Sequence, residues 1–525
     1  MKKNSVFFLL LFLSFLSANA TGKYKKITQK ELKDKVAGGW AGKMIGVTCG
    51  HEMEFQAVGK MFDGDIPWKP AMVEESLLED DIYGQLNFMM MMEKYGQNVP
   101  AEKLSEGLAN AKFPLCHANL QARKNFMDGI MPPSSGIPIY NMHADDIDFQ
   151  IESDFIGFIN PGMSASSARM CNKIGRIMSY GDGLYGGIYL STIHTLAYFD
   201  NNLERIVTDA LKAIPAKSTY AMCIKDVING YNKYPDDWRK TWQVIQDKWG
   251  KTDICIPYHD FNIDAKINGA FVTIGLLYGR GDLEKTMQIT IRCGQDTDCN
   301  SSNVAAVLGI VKGYSNIPEK FRSYIPAMAD KNFLHTDYSY KKAVSQSLIF
   351  INENVVANGG QINGDAYKIR IQSPSFEGKL EQSFPGMYMS YQAQVSDSLK
   401  WVFKGEWKDF VYGDGDPDLY KLATLPGSSL EIPFEGTGIS LLGSWNVDGG
   451  RANIYVDGRF ISKIDAYYRE EAGKYNVNRA SIFHILGLKN GKHTLNLIVS
   501  DDMNPKSTGH KIWIERAVIY AQERN

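Results

Sequence analysis

The sequence predicts a multidomain chain, an all-α domain followed by an all-β sandwich. Three observations carry that expectation. The chain has 525 residues, more than one hydrophobic core ordinarily organises. From about residue 27 to residue 350, apolar residues recur at helical spacing and Gly-rich turns separate the runs. After residue 365 the runs become short and alternating, the pattern of half-buried strands. The divisions expected are an export signal over 1–20, a helical domain over 21–365 and a β-sandwich over 366–525.

The first twenty residues stand apart. Lys2 and Lys3 precede an apolar run from Val6 to Leu16, closed by Ser17, Ala18, Asn19 and Ala20. This is the layout of a secretory signal peptide, and the run is shorter than the roughly 20 residues of a membrane span. A periplasmic or extracellular location is therefore expected, with no membrane span later in the chain.

The helical elements follow in order. Leu77 to Glu93 is Met-rich, with Gly84 its only breaker. Leu203 to Ile214 stops at Pro215. Phe271 to Tyr278 and Leu283 to Ile291 flank the turn Gly279-Arg280-Gly281. Val304 to Gly313 ends in Gly, with Pro318 beyond it, a helix-stop signature. In the second part, Ser429–Phe434, Gly438–Leu442, Ala452–Val456, Thr494–Val499 and Ile512–Ile514 read as strands. Asp457-Gly458 and Asn490-Gly491 are hairpin-type turns. Regular short strands of this kind suggest a sandwich. Trp401, Trp407, Trp445 and Trp513, with Tyr467 and Tyr468, are assigned chiefly to its core; stacking on sugar faces is their second candidate role.

Composition excludes several functions. Hydrophobic residues make up 44% and charged residues 22%, and 57 Lys and Arg face 59 Asp and Glu for a net charge of -2. That balance gives no reason to expect nucleic acid or an acidic membrane as a partner. The cysteines are Cys49, Cys116, Cys171, Cys223, Cys255, Cys293 and Cys299, and none form a C-x-x-C pair. A disulfide framework and a structural zinc site are both disfavoured; isolated buried thiols are expected.

Two acidic clusters, far apart in sequence, carry the chemistry. They are Glu79-Asp80-Asp81 and Asp296-Thr297-Asp298, each at the head of an expected helix. One acid there is explained by the helix dipole. Two or three close carboxylates repel one another, and a cation offsets that cost. Oxygen-only clusters suit Mg²⁺ or Mn²⁺. The competing reading is a solvated acidic surface.

The residues around the clusters resemble the ADP-ribosylglycohydrolase family. Gly294-Gln295-Asp296-Thr297-Asp298, then Cys299-Asn300, a small-residue helix and Ile317-Pro318-Glu319 are similar to that family's C-terminal signature, Gly-Gly-Asp-Thr-Asp-Thr before a small-residue helix. Gly38-Gly39, Gly42, Gly46 and Gly50, then Glu54-Phe55, look like its first Gly-spaced helix. Glu79-Asp80-Asp81 falls where the family has Thr-Asp-Asp, and Asn160-Pro161-Gly162 and Ser179 to Gly187 fall at its central motifs. The order matches over roughly residues 30 to 325.

The resemblance implies an all-α domain with two Mg²⁺ ions near its centre. Carried over residue by residue, the metal ligands are Glu79, Asp80, Asp81, Asp296 and Asp298, and Glu54 is the flexible acid beside the reacting bond. Glu54, Asp81 and Asp296 are the candidate catalytic residues. Three positions depart from the pattern: Glu79 and Cys299 each stand where the family has Thr, and Val47 where it has Asp. A thiol is a poor Mg²⁺ ligand, so Cys299 is a packing residue, or one ion is absent, or Asn300 supplies the oxygen.

A third acidic stretch runs from Asn141 to Glu152 and Asp154. Asp145, Asp148 and Glu152 share a face if it is helical; Asp146, Asp148, Gln150 and Glu152 share a side if it is extended. His143, Asp145, Asp146 and Asp148, with Asn160 and Gly162, are the candidate sugar-binding residues; a solvated polar face is the alternative. His51, His117, His194 and His259 read as ordinary polar or core residues. The β-region, with Gly449-Gly450-Arg451 and Gly491-Lys492-His493, looks like the jelly-roll modules of exported carbohydrate enzymes. The leading expectation is a metal-dependent glycosidase acting on a furanosyl-type sugar or glycan outside the cytoplasm. The alternatives are an ADP-ribosyl hydrolase and a non-catalytic glycan-binding protein.

Overall fold

The computed structural model describes residues 23–254, 263–396, 400–413, 416–469 and 476–522. The expected signal over 1–20, and Cys255 and His259, lie outside the described residues.

The helical part is organised around one pair of helices. The first, Gln29–Gly50, begins at Thr28, whose hydroxyl accepts the Glu31 N–H and satisfies a first-turn donor. From Gly38 to Gly50 it is buried throughout. The helix Thr297–Lys312 lies antiparallel against it: Gly38 faces Gly309, Gly42 faces Ala305, Gly46 faces Ser301 and Gly50 faces Thr297. A Cβ at Gly38, Gly42, Gly46 or Gly50 would collide with the facing carbonyl. The four-residue glycine spacing thus keeps one helix face bare and lets the two backbones touch. Thr297 Oγ1 donates to Gly50 O at 2.8 Å, and Ser301 Oγ donates to Gly46 O. These bonds fix the start of the second helix, and with it the second acidic cluster.

The Met-rich run divides at Glu79. A 3₁₀ stretch, Pro70–Leu78, ends there, and the α-helix Asp80–Tyr95 begins with Glu79 as its extended N-cap. The run from Leu203 likewise gives an α-helix, Leu203–Ala210, closed by a 3₁₀ turn, Leu211–Ala213. The helix Ala265–Gly279 is buried at every position, as its nearly continuous apolar sequence requires. The strand Tyr24–Thr28 pairs with Ala366–Arg370, which pairs with Gln361–Asn363. The chain therefore returns to its helical beginning before the sandwich starts.

The C-terminal part is two antiparallel sheets. One has five strands, in the order Arg459–Asp465, Arg451–Val456, Gly491–Val499, Ser429–Gly436 and Val402–Lys404. The other has six, with Ile512–Gln522 paired to Gly438–Asn446, Tyr420–Ala423 and Met387–Gln394. Leu430, Ile432, Ile454, Leu495 and Leu497 from the first sheet meet Ile439, Leu441, Ile514, Ala517 and Ile519 from the second. Trp445 is buried and stacks on Tyr468 at 6.0 Å between ring centroids. Met142 of the helical part packs with Leu442, Val518 and Tyr520 of the sandwich, and His484 Nε2 donates to Pro138 O at 2.8 Å. Among the described residues no helix is long and apolar enough to cross a membrane.

Candidate active site

The two acidic clusters meet at one cavity of about 300 Å³. Asp80 and Asp81 reach it from the first turn of Asp80–Tyr95. Asp296 and Asp298 reach it from the start of Thr297–Lys312, with Cys299 beside them. Glu54 is presented by the loop after the first helix. That loop is tied to the second cluster through its backbone: Phe55 N–H donates to Gln295 O, and Gln295 N–H donates to Ala57 O, both at 3.0 Å. Phe55 and Gln295 both hold left-handed φ values, 52° and 63°, so the loop pair is built by local backbone choices uncommon for non-glycine residues.

Three groups bring ligand atoms within 4.8 Å of one another: Glu54 with Asp296 and Asp298; Asp81 with Asp298 and Cys299; and His51 with Glu79 and Asp298. Asp298 belongs to all three. Asp81 Oδ1, Asp296 Oδ1 and Asp298 Oδ1 are buried without a hydrogen-bond partner. Burial, followed by the Asp298 charge, pushes the Asp80, Asp81 and Asp296 carboxyls above the usual carboxylate range. The same causes push Glu54 up to about 8 and Glu79 up to about 9. Lys43 lies near Asp81 but its ammonium is committed to Asp154 Oδ2 at 2.8 Å and Ser302 Oγ at 3.1 Å. Orphaned oxygens and mutual repulsion are both relieved by a divalent cation, so these residues could hold one.

A second wall carries Asn119, Asp148 and Glu152. Asp148 Oδ1 accepts the Asn119 backbone N–H at 3.0 Å, and Glu152 Oε1 accepts the Asn119 amide at 2.9 Å. Burial, then a neighbouring carboxylate, raises both acids well above their ordinary values. Phe55, Phe113, Ile147, Ile151 and Ile263 complete the lining with apolar surface.

The structure gathers Glu54, Asp80, Asp81, Asp148, Asp296 and Asp298 on this cavity, and sets Glu79 beside it through Asp298 and His51. His143, Asp145, Asp146, Asn160 and Gly162 do not line it. The reason is where helix begins: the helix Asp148–Glu152 starts only at Asp148, so Asp145 falls off the face shared by Asp148 and Glu152. Asp145 lines a second cavity of about 600 Å³ with Asp182, Asp264 and Lys266. His143 Nδ1 sits 2.7 Å from Asp146 Oδ2, and burial holds the ring near pKa 4. Asn160 donates to Ile156 O at 2.9 Å within the core, and Gly162, at φ +66°, packs against Ile371 and Phe199. Sequence reasoning missed Phe113, Cys116 and Asn119 and set His117 aside. All four line the cavity, at or just before the head of the helix His117–Met127. No charge run or spacing marks them.

The sequence comparison identifies the class of protein to which this helical domain and its buried carboxylate cavity belong. Residues 28–341 match the sequence profile of the ADP-ribosylglycohydrolase family, a span of more than half of the chain, and the chain belongs to that family of hydrolases. Two curated enzymes of Flavonifractor plautii show partial similarity. The A type blood alpha-D-galactosamine galactosaminidase is 26% identical over 104 residues, 20% of this chain and 9% of that enzyme. The A type blood N-acetyl-alpha-D-galactosamine deacetylase is 30% identical over 97 residues, 18% of this chain and 12% of that enzyme. The matches thus span about a tenth of the length of those relatives. Among solved structures, an ADP-ribosylglycohydrolase-related protein complex superposes with a TM-score of 0.43 at 13% identity, covering 62% of this chain and 99% of that one.

Proposed function

We propose that this chain is a metal-dependent hydrolase of glycosidic bonds, acting on a furanosyl-type sugar or glycan outside the cytoplasm. The observation that carries the reading is the set of buried, unpartnered oxygens on Asp81, Asp296 and Asp298, from clusters over two hundred residues apart, facing one cavity. Glu79, Asp80, Asp81, Asp296 and Asp298 would hold one or two divalent ions, Mg²⁺ by the chemistry of their oxygen donors, with Mn²⁺ as the alternative. A bound ion of this kind orients a sugar diol and lowers the pKa of water.

The chain's own residues do the rest. Glu54, on the loop tied to Gln295, accepts the proton of the attacking water as general base. Asp81 and Asp296 hold the reacting centre. Asp148 and Glu152, oriented by Asn119, accept hydrogen bonds from sugar hydroxyls. Asp146, paired with His143, lies near enough to raise the Asp148 carboxyl and acts as a positioning residue. Phe55 and Phe113 shield the site from water. An export-type N-terminus, a sandwich domain and two relatives named for galactosamine substrates favour an exported glycan.

The family membership favours a second reading, release of ADP-ribose from a modified protein or small molecule. Assay of the purified chain against pentofuranosyl and ADP-ribosyl substrates side by side separates the two. The expected result is pentofuranosyl cleavage that EDTA abolishes and Mg²⁺ restores. Turnover of the ADP-ribosyl substrate alone selects the second reading. Sugar binding without cleavage at any metal concentration makes the chain a glycan-binding protein instead. Cleavage indifferent to both EDTA and Asp296→Ala removes the metal mechanism.

A further inference from the structure

We infer that one ion position in this cavity is a mixed thiolate–carboxylate site, formed by Cys299, Asp81 and Asp298, that selects a borderline-soft divalent ion such as Zn²⁺ over Mg²⁺. The inference rests on the metal-dependent reading above and specifies which metal one half of the site takes.

The first support is spacing. Cys299 Sγ lies 3.4 Å from Asp81 Oδ2, and an Asp298 oxygen joins both within 4.8 Å. Zinc bonds of about 2.3 Å to sulfur and about 2.1 Å to oxygen place two tetrahedral ligands about 3.6 Å apart. The thiol and the carboxylate already stand at the separation of two ligands on one ion.

The second support is unfilled bonding capacity. Asp81 and Asp298 are each 4% exposed, and each keeps an Oδ1 without a partner. The Asp81–Cys299 hydrogen bond satisfies one oxygen and leaves its twin bare. An ion among the three groups meets all of them, and three protein ligands leave one coordination position open to water or substrate.

The third support is contrast. The neighbouring group, Glu54 with Asp296 and Asp298, offers oxygen only and suits a hard ion in octahedral geometry. Sulfur beside Asp81 disfavours Mg²⁺ and favours Zn²⁺ or Co²⁺. Asp298, common to both groups, bridges two positions of unlike preference. Coordination converts the Cys299 thiol to thiolate, and the proton now donated to Asp81 leaves to solvent.

The test uses the full chain freed of metal and titrated with Co²⁺. The expected result is a near-ultraviolet sulfur-to-cobalt charge-transfer band, kept in Glu54→Gln and lost in Cys299→Ser. In a chelator competition, Cys299→Ser weakens Zn²⁺ binding by more than the roughly tenfold loss that outer-shell changes begin at, while Mg²⁺ binding holds. Cobalt binding to the wild-type chain without the band overturns the inference, and that measurement needs no variant to fold. Unchanged Zn²⁺ affinity in a folded Cys299→Ser overturns it as well. If the wild-type chain binds no divalent ion, the metal-dependent reading falls with it, an outcome distinct from ion binding without a thiolate.

Discussion

Lys43 and Asp154 form an ion pair, 2.8 Å from Nζ to Oδ2, with neither side chain exposed. Asp154 also accepts both bonds from the Asn303 amide at 3.0 Å, and Lys43 donates to Ser302. The pair joins the first helix to the helix Asp154–Phe158, and the bonds to Ser302 and Asn303 tie both to the C-terminal signature helix. Removing one partner of a buried pair strands the other charge and costs about 3–5 kcal/mol. Lys43→Met is therefore expected to lower the melting temperature sharply, and Lys43→Met with Asp154→Leu to recover part of the loss. Thermal or urea unfolding of the three proteins checks this; equal stability of the single variant and wild type rejects it.

Gly42 makes the same helix pair a steric matter. Its added Cβ would collide with the backbone of Ala305, and backbone cannot swing aside as a side-chain tip can. Overpacking a tight core costs typically 1–3 kcal/mol, at times more. Gly42→Ala is expected at or beyond about 3 kcal/mol. Gly281→Ala, at φ +81° with nothing near its Cβ, suffers only the backbone strain. The variant at Gly42 should also weaken divalent-ion binding, because Asp296 and Asp298 ride on the displaced helix. Denaturation midpoints and ion titration of both variants provide the comparison.

Asp296 presents a test in which stability and activity move in opposite directions. Without metal its carboxylate repels Asp298 and is pushed up by burial and by that charge. Asp296→Asn removes the repulsion, so the metal-free variant is expected to melt higher than metal-free wild type. Wild type in excess Mg²⁺ gains about 2.7 kcal/mol when the free ion is about 100 times Kd, and the variant is expected to lose most of that gain along with its turnover. Melting scans with EDTA and with Mg²⁺ separate the two effects. A variant that gains as much from Mg²⁺ as wild type removes Asp296 from the ligand set.

What could be read from sequence follows from the range of each signal. The glycines at 38, 42, 46 and 50 are a local, periodic pattern, and they fold as the pattern says. The two acidic clusters are local as well, and the motif order places them in one domain. The stretch from Asn141 to Glu152 was harder. Turns occupy its first half and helix begins only at Asp148, so Asp148 and Glu152 line one cavity and Asp145 another, while Asp146 lines neither. Asn119 and Phe113 escaped because their roles come from tertiary neighbours, the Asp148 and Glu152 carboxyls and the apolar wall. Nothing in their own sequence neighbourhood carries that information.

Asp148 and Asp145 turn that division into a comparison of variants. Asp148 lines the carboxylate cavity and is held by Asn119, whereas Asp145 lines the other cavity and pairs with the Ser383 hydroxyl. If sugar hydroxyls bind at Asp148, Asp148→Asn weakens a hydrogen bond worth about 0.5–1.5 kcal/mol, a loss of roughly two- to tenfold in kcat/KM. Asp145→Asn is expected to leave kcat/KM nearly intact. Steady-state kinetics on the cleaved substrate decides, and equal losses at the two positions reject the assignment of the substrate wall to Asp148.

The acids at the cavity also fix how metal-free stability responds to pH. Glu54 is raised from its ordinary 4.5 to about 8 and Glu79 to about 9, by burial first and then by the Asp298 charge. A raised acid keeps its proton in the folded state while the unfolded chain releases it near pH 4.5. The stability this contributes is complete below pH 4.5 and is lost as pH rises toward 8 and 9. In EDTA the melting temperature is therefore expected to fall between pH 5 and pH 9, and Glu54→Gln, which has no proton to lose, is expected to flatten the part below about pH 8. A saturating divalent ion should oppose the trend, because its ligands bind as carboxylates and affinity grows with pH. Melting scans across that range, with EDTA and with Mg²⁺, measure the sign directly. A metal-free melting temperature that rises with pH, with Glu54→Gln leaving its slope unchanged, would place the Glu54 carboxylate outside the repelling cluster and remove it as the base poised beside Asp296 and Asp298.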